Sequence, residues 1–346
     1  MYTDKIIGGL FGWEFNIRPH DPVVPLWLQG SECMQLVNAR SGLCLLAAYL
    51  KPANIWLPTY LCESIVTSFV TFEGEINYYP VDIALNSVNR NWLDNVKEKD
   101  LVVVIDYFGW RADNDLLEQI RVTGAYILED ASQAILTADV GVGVDYCLYS
   151  PRKFFPVPDG GVLCAKGRAS LPRVTLQQSP NAWWFQAFHA VMLRGEFDKY
   201  GGDRKWFELF QSSEAHSPIG MYQMSEFSNR ALSTLFDYEA IASVRIRNYQ
   251  FLANNLGELA FRPNLPLGVV PLGFPVSIPE RDRVRQYMFA NKIYPAFHWP
   301  VPTCVPSSFT DSRRTAKKLM TLPCDQRYEI ADMERMATII KDAIFS

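Results

Sequence analysis

The sequence predicts an α/β domain with a largely parallel sheet, followed by a smaller α+β domain, and three observations carry this prediction. Leu101–Asp106 (LVVVID) is an unbroken run rich in β-branched residues, the pattern of a strand covered on both faces. From about Asn38 to Ala165, short apolar runs alternate with segments of helical periodicity, as strands and crossover helices do. Past Ser170 that rhythm gives way to an aromatic-rich stretch, one long helical pattern and a proline-rich segment.

Taken in order, Ser41–Leu50 reads as a mostly buried helix, and Ile55–Leu57 as a short strand ended by Pro58. After Leu101–Asp106, Asp113–Arg121 reads as a helix and Ala125–Glu129 as the next strand. Tyr146–Tyr149 and Val162–Ala165 are two further strands. The region 170–217 holds Trp183, Trp184, Phe185, Phe188, Trp206 and Phe210 and reads as helices and loops covering the first domain. Tyr238, Ile241, Tyr249, Leu252 and Leu256 keep the spacing of a long connecting helix. Pro263–Pro279 suits extended or edge strands, because proline donates nothing to a ladder. Met333, Met336, Ile340 and Ile344 mark one face of a C-terminal helix. The expected boundaries are an N-terminal arm over 1–30, a large domain over 31–235 and a small domain over 236–346.

Composition narrows the function classes. A formal charge of -4 over 346 residues, with no long basic block, argues against nucleic acid as a partner. The seven cysteines form no C-x-x-C pair, so the expectation is scattered reduced thiols in a cytoplasm. The four histidines lack metal-ligand spacing, and no metal is expected. No signal peptide is read at the N-terminus, and no apolar stretch approaches a membrane span, so a cytoplasmic protein without a membrane partner is expected.

Three segments carry chemistry. Ser150-Pro151-Arg152-Lys153 follows a strand and precedes Phe154-Phe155-Pro156. A lysine buried among such neighbours is held toward the neutral amine that a Schiff-base nucleophile requires. On spacing alone, a surface lysine on a loop is the simpler reading. Ser150 is placed to direct a hydroxyl at a phosphate, and Gly160-Gly161 lets backbone approach a ligand. Glu129-Asp130-Ala131-Ser132-Gln133 lies at a strand's carboxyl end, where open parallel sheets bind ligands. An aspartate there can keep a cofactor's pyridine nitrogen protonated, with Gln133 donating to the ring oxygen; a plain N-cap is the alternative. Asn38-Ala39-Arg40-Ser41-Gly42 opens a helix, and its free N–H groups with Arg40 suit phosphate, although a serine there is also an ordinary cap.

In order and spacing these segments resemble the DegT/DnrJ sugar-nucleotide aminotransferases, a group of fold-type I pyridoxal-phosphate enzymes, from about residue 36 to 340. Asn38–Leu46 resembles the G-T-x-A-L segment, Leu57-Pro58-Thr59-Tyr60 a P-[TA]-[FY] strand end, and Tyr107–Asp113 the Y-G-x-x-A-D segment. Glu129–Gln133 is similar to E-D-A-A-Q, and Ser150–Lys153 with Asp159-Gly160-Gly161 to the lysine segment followed by G-E-G-G. The resemblance implies an aspartate-aminotransferase-like large domain with a seven-stranded, mostly parallel sheet and a smaller C-terminal domain. It implies pyridoxal 5'-phosphate as cofactor, bound covalently to Lys153, with Asp130 on the pyridinium nitrogen and Gln133 on the phenolic oxygen. Arg40, Ser41 and Ser150 would hold the phosphate and Tyr60 would cover the ring. A homodimer is implied, as are small-molecule substrates: a nucleotide-linked keto sugar and an amino donor, usually glutamate, for surface polysaccharide or related glycans. His298, in Phe297-His298-Trp299-Pro300, would meet substrate or pack as a backbone-bonded histidine. Trp184 would stack on a sugar or base, or pack between helices. The chain departs from the pattern at Cys62, where an aromatic is usual, at Met221–Ser225 against N-x-R-M-[ST], and at Asp106, where a histidine is usual. Those departures keep two alternatives open: another reaction of the same cofactor, such as sugar dehydration or small amino-acid chemistry, and a non-catalytic binding or regulatory relative.

Overall fold

The computed structural model describes residues 5–14, 19, 21, 23–29 and 31–345. Parts of the expected arm (1–4, 15–18, 20, 22 and 30) therefore lie outside the described residues. The elements in chain order are β1 (Ile7–Gly8), β2 (Glu32–Leu36), α1 (Ala39–Leu50), β3 (Asn54–Pro58), α2 (Glu63–Thr67), β4 (Glu75–Tyr79) and β5 (Leu101–Ile105). Next come α3 (Asn114–Val122), β6 (Tyr126–Asp130), β7 (Tyr146–Tyr149), β8 (Gly161–Ala165), α4 (Asn181–Tyr200) and α5 (Lys205–Ala215). The chain continues through α6 (Glu226–Thr234), α7 (Tyr238–Leu256), β9 (Phe274–Ser277), α8 (Arg281–Ala290) and β10 (Ile293–Tyr294). It ends in α9 (Thr310–Lys318), β11 (Leu319–Leu322) and α10 (Ile330–Phe345).

Seven strands form the main sheet in the order β2-β8-β7-β6-β5-β3-β4. Six run in one direction and β8 runs against them, so the sheet is mostly parallel, as expected. Its centre is dry: Leu101, Val102 and Val103 are fully buried, each removal from water contributing roughly 1.5–3 kcal/mol. Helices start where side chains satisfy their first N–H groups. Asn38 caps α1 by accepting from Ser41 N at 2.9 Å, and Asp237 caps α7 by accepting from Ala240 N at 2.9 Å.

The edge strands β2 and β4 were not foreseen. Each has a neighbouring strand on one side only, β2 meeting just an isolated bridge from Leu36 to Gln223 on the other, and ECMQL and EINYY carry polar, partly exposed residues that hide the strand period. The reduced-thiol expectation is overturned: Cys33 of β2 and Cys164 of β8 are bonded as a disulfide. They face one another in the antiparallel register, 131 residues apart in sequence, and no local spacing announces such a pair. The N-terminal segment docks on the C-terminal elements, with β1 parallel to β10 and Lys5 paired to Asp332 at 2.6 Å. No helix among the described residues is long and apolar enough to cross a membrane.

Candidate active site

The carboxyl ends of β2, β3, β5, β6 and β7 point the same way, and each is followed by a segment singled out from the sequence. These are Asn38–Ser41, Tyr60, Asp106-Tyr107, Asp130–Gln133 and Ser150–Lys153. A ligand crevice is expected at this end of such a sheet. The antiparallel β8 starts from the same end, pressed against the α1 N-terminus. A Cβ on Gly161 would lie 2.1 Å from Asn38 C and 2.3 Å from Ala39 N, so the two backbones meet only because the residue is glycine. The turn before it is tied down by Asp159, whose buried carboxylate accepts from Ser225 N (2.7 Å), Ser225 Oγ (2.6 Å) and Ser228 Oγ. Burial pushes the Asp159 carboxyl above its ordinary pKa, and these donors pull against that shift.

Ser41 is fully buried, and its hydroxyl accepts from Gly220 N at 3.1 Å. Arg40 is half-buried beside Glu214 and Arg152; burial lowers its pKa from the ordinary value and Glu214 raises it. Arg152 is paired with Glu214. Tyr60 is fully buried: its hydroxyl donates to the His298 carbonyl, and its own carbonyl accepts from Tyr107 Oη at 2.5 Å. Its ring centroid lies 5.7 Å from those of both Tyr107 and Trp299. Burial pushes the Tyr60 phenol well above its ordinary pKa.

Asp130 is buried, with Oδ1 accepting from Ser132 N at 3.0 Å. Gln133 Oε1 accepts from Phe108 N at 2.7 Å, while its Nε2 is buried with no hydrogen-bond partner. That contact holds Phe108 at a φ of 60°, a left-handed conformation that a phenylalanine adopts only when its surroundings impose it. An unsatisfied buried amide donor is costly unless a ligand oxygen meets it.

Ser150, Lys153 and His298 line one cavity of about 360 Å³, walled on another side by Gly8–Phe11 of the N-terminal segment. Lys153 is exposed rather than buried, which corrects the expectation of a desolvated lysine. The apolar residues that follow it, Phe154 and Phe155, are buried in the core, while Lys153 lines the cavity. Its amine makes no hydrogen bond or ion pair among the described residues. His298 Nδ1 lies 2.9 Å from Thr321 Oγ1, and burial, helped by the charge of Lys153, pushes the imidazole pKa down to about 3. The ring is therefore neutral at physiological pH. Asp130, Gln133 and Tyr60 are not on the wall of this cavity. Neither is Trp184, whose ring stacks on Phe188 at 5.1 Å with the indole N–H beside Asp159.

The sequence reading missed other groups on the cavity wall: Thr321, Glu214, and Arg327 with Asp325. Arg327 holds Asp325 through two contacts of 2.7 and 2.9 Å and donates to Leu10 O at 2.8 Å. Asp325-Gln326-Arg327 lies more than 170 residues from Lys153, and nothing local marks it as part of a site.

No protein-family model matches the chain, and no curated protein matches it in sequence. Solved structures do match. The chain is similar to DesV from S. venezuelae, solved in complex with a ketimine intermediate, at 15% identity and TM-score 0.60, covering 90% of this chain and 84% of that one. A DegT DnrJ EryC1 StrS aminotransferase from Brucella abortus matches at 15% identity and TM-score 0.60, over 90% and 86% of the two chains. The putative sugar aminotransferase Spr1654 from Streptococcus pneumoniae, in its PLP form, matches at 13% identity and TM-score 0.62, over 90% and 87%. At such identities the likeness establishes the fold: the chain has the architecture of these aminotransferases.

Proposed function

We propose that this protein is a pyridoxal-phosphate-dependent aminotransferase that moves an amino group, with glutamate as donor, onto a keto group of a nucleotide-linked sugar. The observation that carries the reading is the pairing of an unpartnered buried donor, Gln133 Nε2, with the Asp130 carboxylate at the end of β6. Lys153 follows the neighbouring strand β7 with a free amine. By their chemistry these residues would suit the cofactor, with Lys153 reaching it from a cavity that Asp130 and Gln133 do not themselves line: Asp130 matches a protonated pyridine nitrogen, Gln133 Nε2 a phenolic oxygen, and Lys153 Nζ an aldehyde carbon. Arg40 and Ser150 supply charge and a hydroxyl for the phosphate, while Ser41 braces the turn at Gly220 through its own hydroxyl.

Pyridoxal phosphate, when bound, supplies an exchangeable carbonyl and an electron-withdrawing ring. The chain supplies the rest. Lys153 Nζ would hold the cofactor and would serve as the base that moves the substrate proton. The neutral imidazole of His298 faces that amine without adding a second positive charge, and is placed on the substrate side. Tyr60, Tyr107 and Trp299 form an apolar wall that excludes water from the sheet end. Trp184 acts at a distance, packing the α4–α6 wall through Phe188 and Phe227. On the same reading the enzyme is a homodimer serving surface polysaccharide or related glycan biosynthesis, as the sequence resemblance implies.

The test is borohydride reduction of the cofactor-loaded protein followed by peptide mass analysis. A pyridoxyl group on the Lys153 peptide is the expected result, and an unmodified peptide overturns the reading. Added glutamate should then shift the visible spectrum to that of the amine form; a spectrum that does not move points to a different reaction of the same cofactor.

A further inference from the structure

Asp106 follows β5 directly and is fully buried. Its N–H donates to the Asp130 carbonyl at 3.1 Å, which places it beside the residue assigned above to the pyridine nitrogen. Oδ1 accepts from Ala112 N at 2.9 Å, but Oδ2 is buried with no hydrogen-bond partner among the described residues. An ionised carboxylate in that position would leave an anionic oxygen bare in a dry core.

The neighbouring charges make ionisation harder still. The Glu129 carboxyl, on the adjacent strand, is within hydrogen-bonding reach of Asp106. Its two oxygens are held by Arg111 Nε at 2.8 Å and Gly141 N at 2.5 Å, so Glu129 has the guanidinium. Three carboxyl groups (Asp106, Glu129 and Asp130) thus face one cation, Arg111. The thiol of Cys147 and the phenol of Tyr149, on β7, and the phenol of Tyr107, beside Asp130, are other titratable groups near them, and all three are neutral at physiological pH because burial raises their pKa. Two carboxyl groups in contact attract only if a proton lies between them. Burial and Glu129 together push the Asp106 carboxyl well above the usual carboxylate range, in accord with the geometry.

We propose that Asp106 is a positioning residue that carries a proton at neutral pH and donates it in a hydrogen bond to Glu129, leaving Asp130 as the carboxylate available to a ligand. The role given to Asp130 rests on the functional reading above; the shared proton does not. With the proton present, Asp106 Oδ2 becomes a satisfied donor and repulsion on Asp130 falls.

The experiment is infrared spectroscopy of the cofactor-free protein, grown with and without carboxyl-labelled ¹³C-aspartate, at neutral pH. A protonated-carboxyl stretch that shifts with the label and disappears in Asp106→Asn is the expected result; no such band overturns the proposal. Denaturation across a pH series gives an independent readout. The native state keeps a proton that the unfolded chain loses above pH ~4, so wild-type stability falls as pH rises until the folded pKa is passed. Asparagine has no proton to lose and still offers Glu129 a donor. The ratio of wild-type to Asp106→Asn unfolding constants should therefore rise by up to about tenfold per pH unit in that window. Parallel profiles overturn the proposal. Should Asp106→Asn fail to fold, the labelled band must persist in Asp159→Asn, which removes the other fully buried aspartate whose pKa burial raises; its loss there overturns the proposal. A band with no pyridoxyl mark on Lys153 refutes the functional reading and leaves this inference standing.

Discussion

His298→Gln is expected to flatten the acid side of the stability profile. The imidazole has an ordinary pKa of 6.5 and is held down to about 3 in the folded chain, first by burial and then by the charge of Lys153. A depressed histidine pKa means that the unfolded state binds the proton more readily. The contribution is complete above pH 6.5 and is lost as the pH falls toward about 3. At about pH 5 the loss has run for roughly 1.5 pH units at about 1.4 kcal/mol each, or about 2 kcal/mol. The ring is half-buried, so solvent screening brings the expected figure down toward about 1 kcal/mol. Glutamine does not titrate, and its amide reaches a partner such as Thr321 Oγ1. The Tyr60 contact survives because it is made to the residue 298 carbonyl. Urea denaturation at about pH 7.5 and about pH 5 should therefore show wild type losing about 1–2 kcal/mol more than His298→Gln. Equal losses in the two proteins would refute the claim that this ring is kept neutral by its surroundings.

Thiol titration of the denatured, unreduced chain should find five groups, rising to seven after reduction, because Cys33 and Cys164 are bonded. In the chain-entropy account, opening a 131-residue loop costs up to about 5 kcal/mol, so reduction should lower the urea midpoint. Gly161→Ala should destabilise by about 3 kcal/mol, the upper range for overpacking, since its Cβ would strike the Asn38–Ala39 backbone. Gly257→Ala, which meets nothing within 4 Å, should stay within about 0.5 kcal/mol of wild type in the same assay.

Residues that act through their neighbours in sequence were legible. Leu101–Val104 announces a covered strand because its apolar run is continuous, and the long helix expected from the spacing of Tyr238, Ile241, Tyr249, Leu252 and Leu256 is observed over Tyr238–Leu256 because one face repeats along it. The segments at the strand ends were legible too, because a strand's carboxyl end in a parallel sheet faces the ligand side whatever the partner strands are. What was not legible depends on distant contacts. Edge strands β2 and β4 have a neighbouring strand on one side only and keep polar, partly exposed residues, so they lack a clean period. Cys33 and Cys164 meet only because β2 returns to pair with β8. Trp184 could be read as a stacking platform or as a packed ring, and only the positions of Phe188 and Asp159 decide where it sits.

Lys153 shows how this limit bears on chemistry. Its neighbours in sequence are buried, and by proximity the lysine was expected to be buried with them; instead the chain turns at the 3-10 segment Pro151–Lys153 and sends the amine into the cavity. Desolvation is then not what prepares it. The absence of a carboxylate partner among the described residues and the neutrality of His298 leave the amine available. An exposed residue without partners among the described residues adds little to folding, so Lys153→Ala should keep the unliganded stability within about 0.5 kcal/mol of wild type. Pyridoxal phosphate at a hundredfold excess over its dissociation constant should stabilise wild type by about 2.7 kcal/mol. The same concentration should stabilise Lys153→Ala distinctly less, because the covalent part of the affinity is gone. Equal shifts in thermal melting would mean that the cofactor attaches elsewhere, and no shift in either protein would remove it from this site altogether.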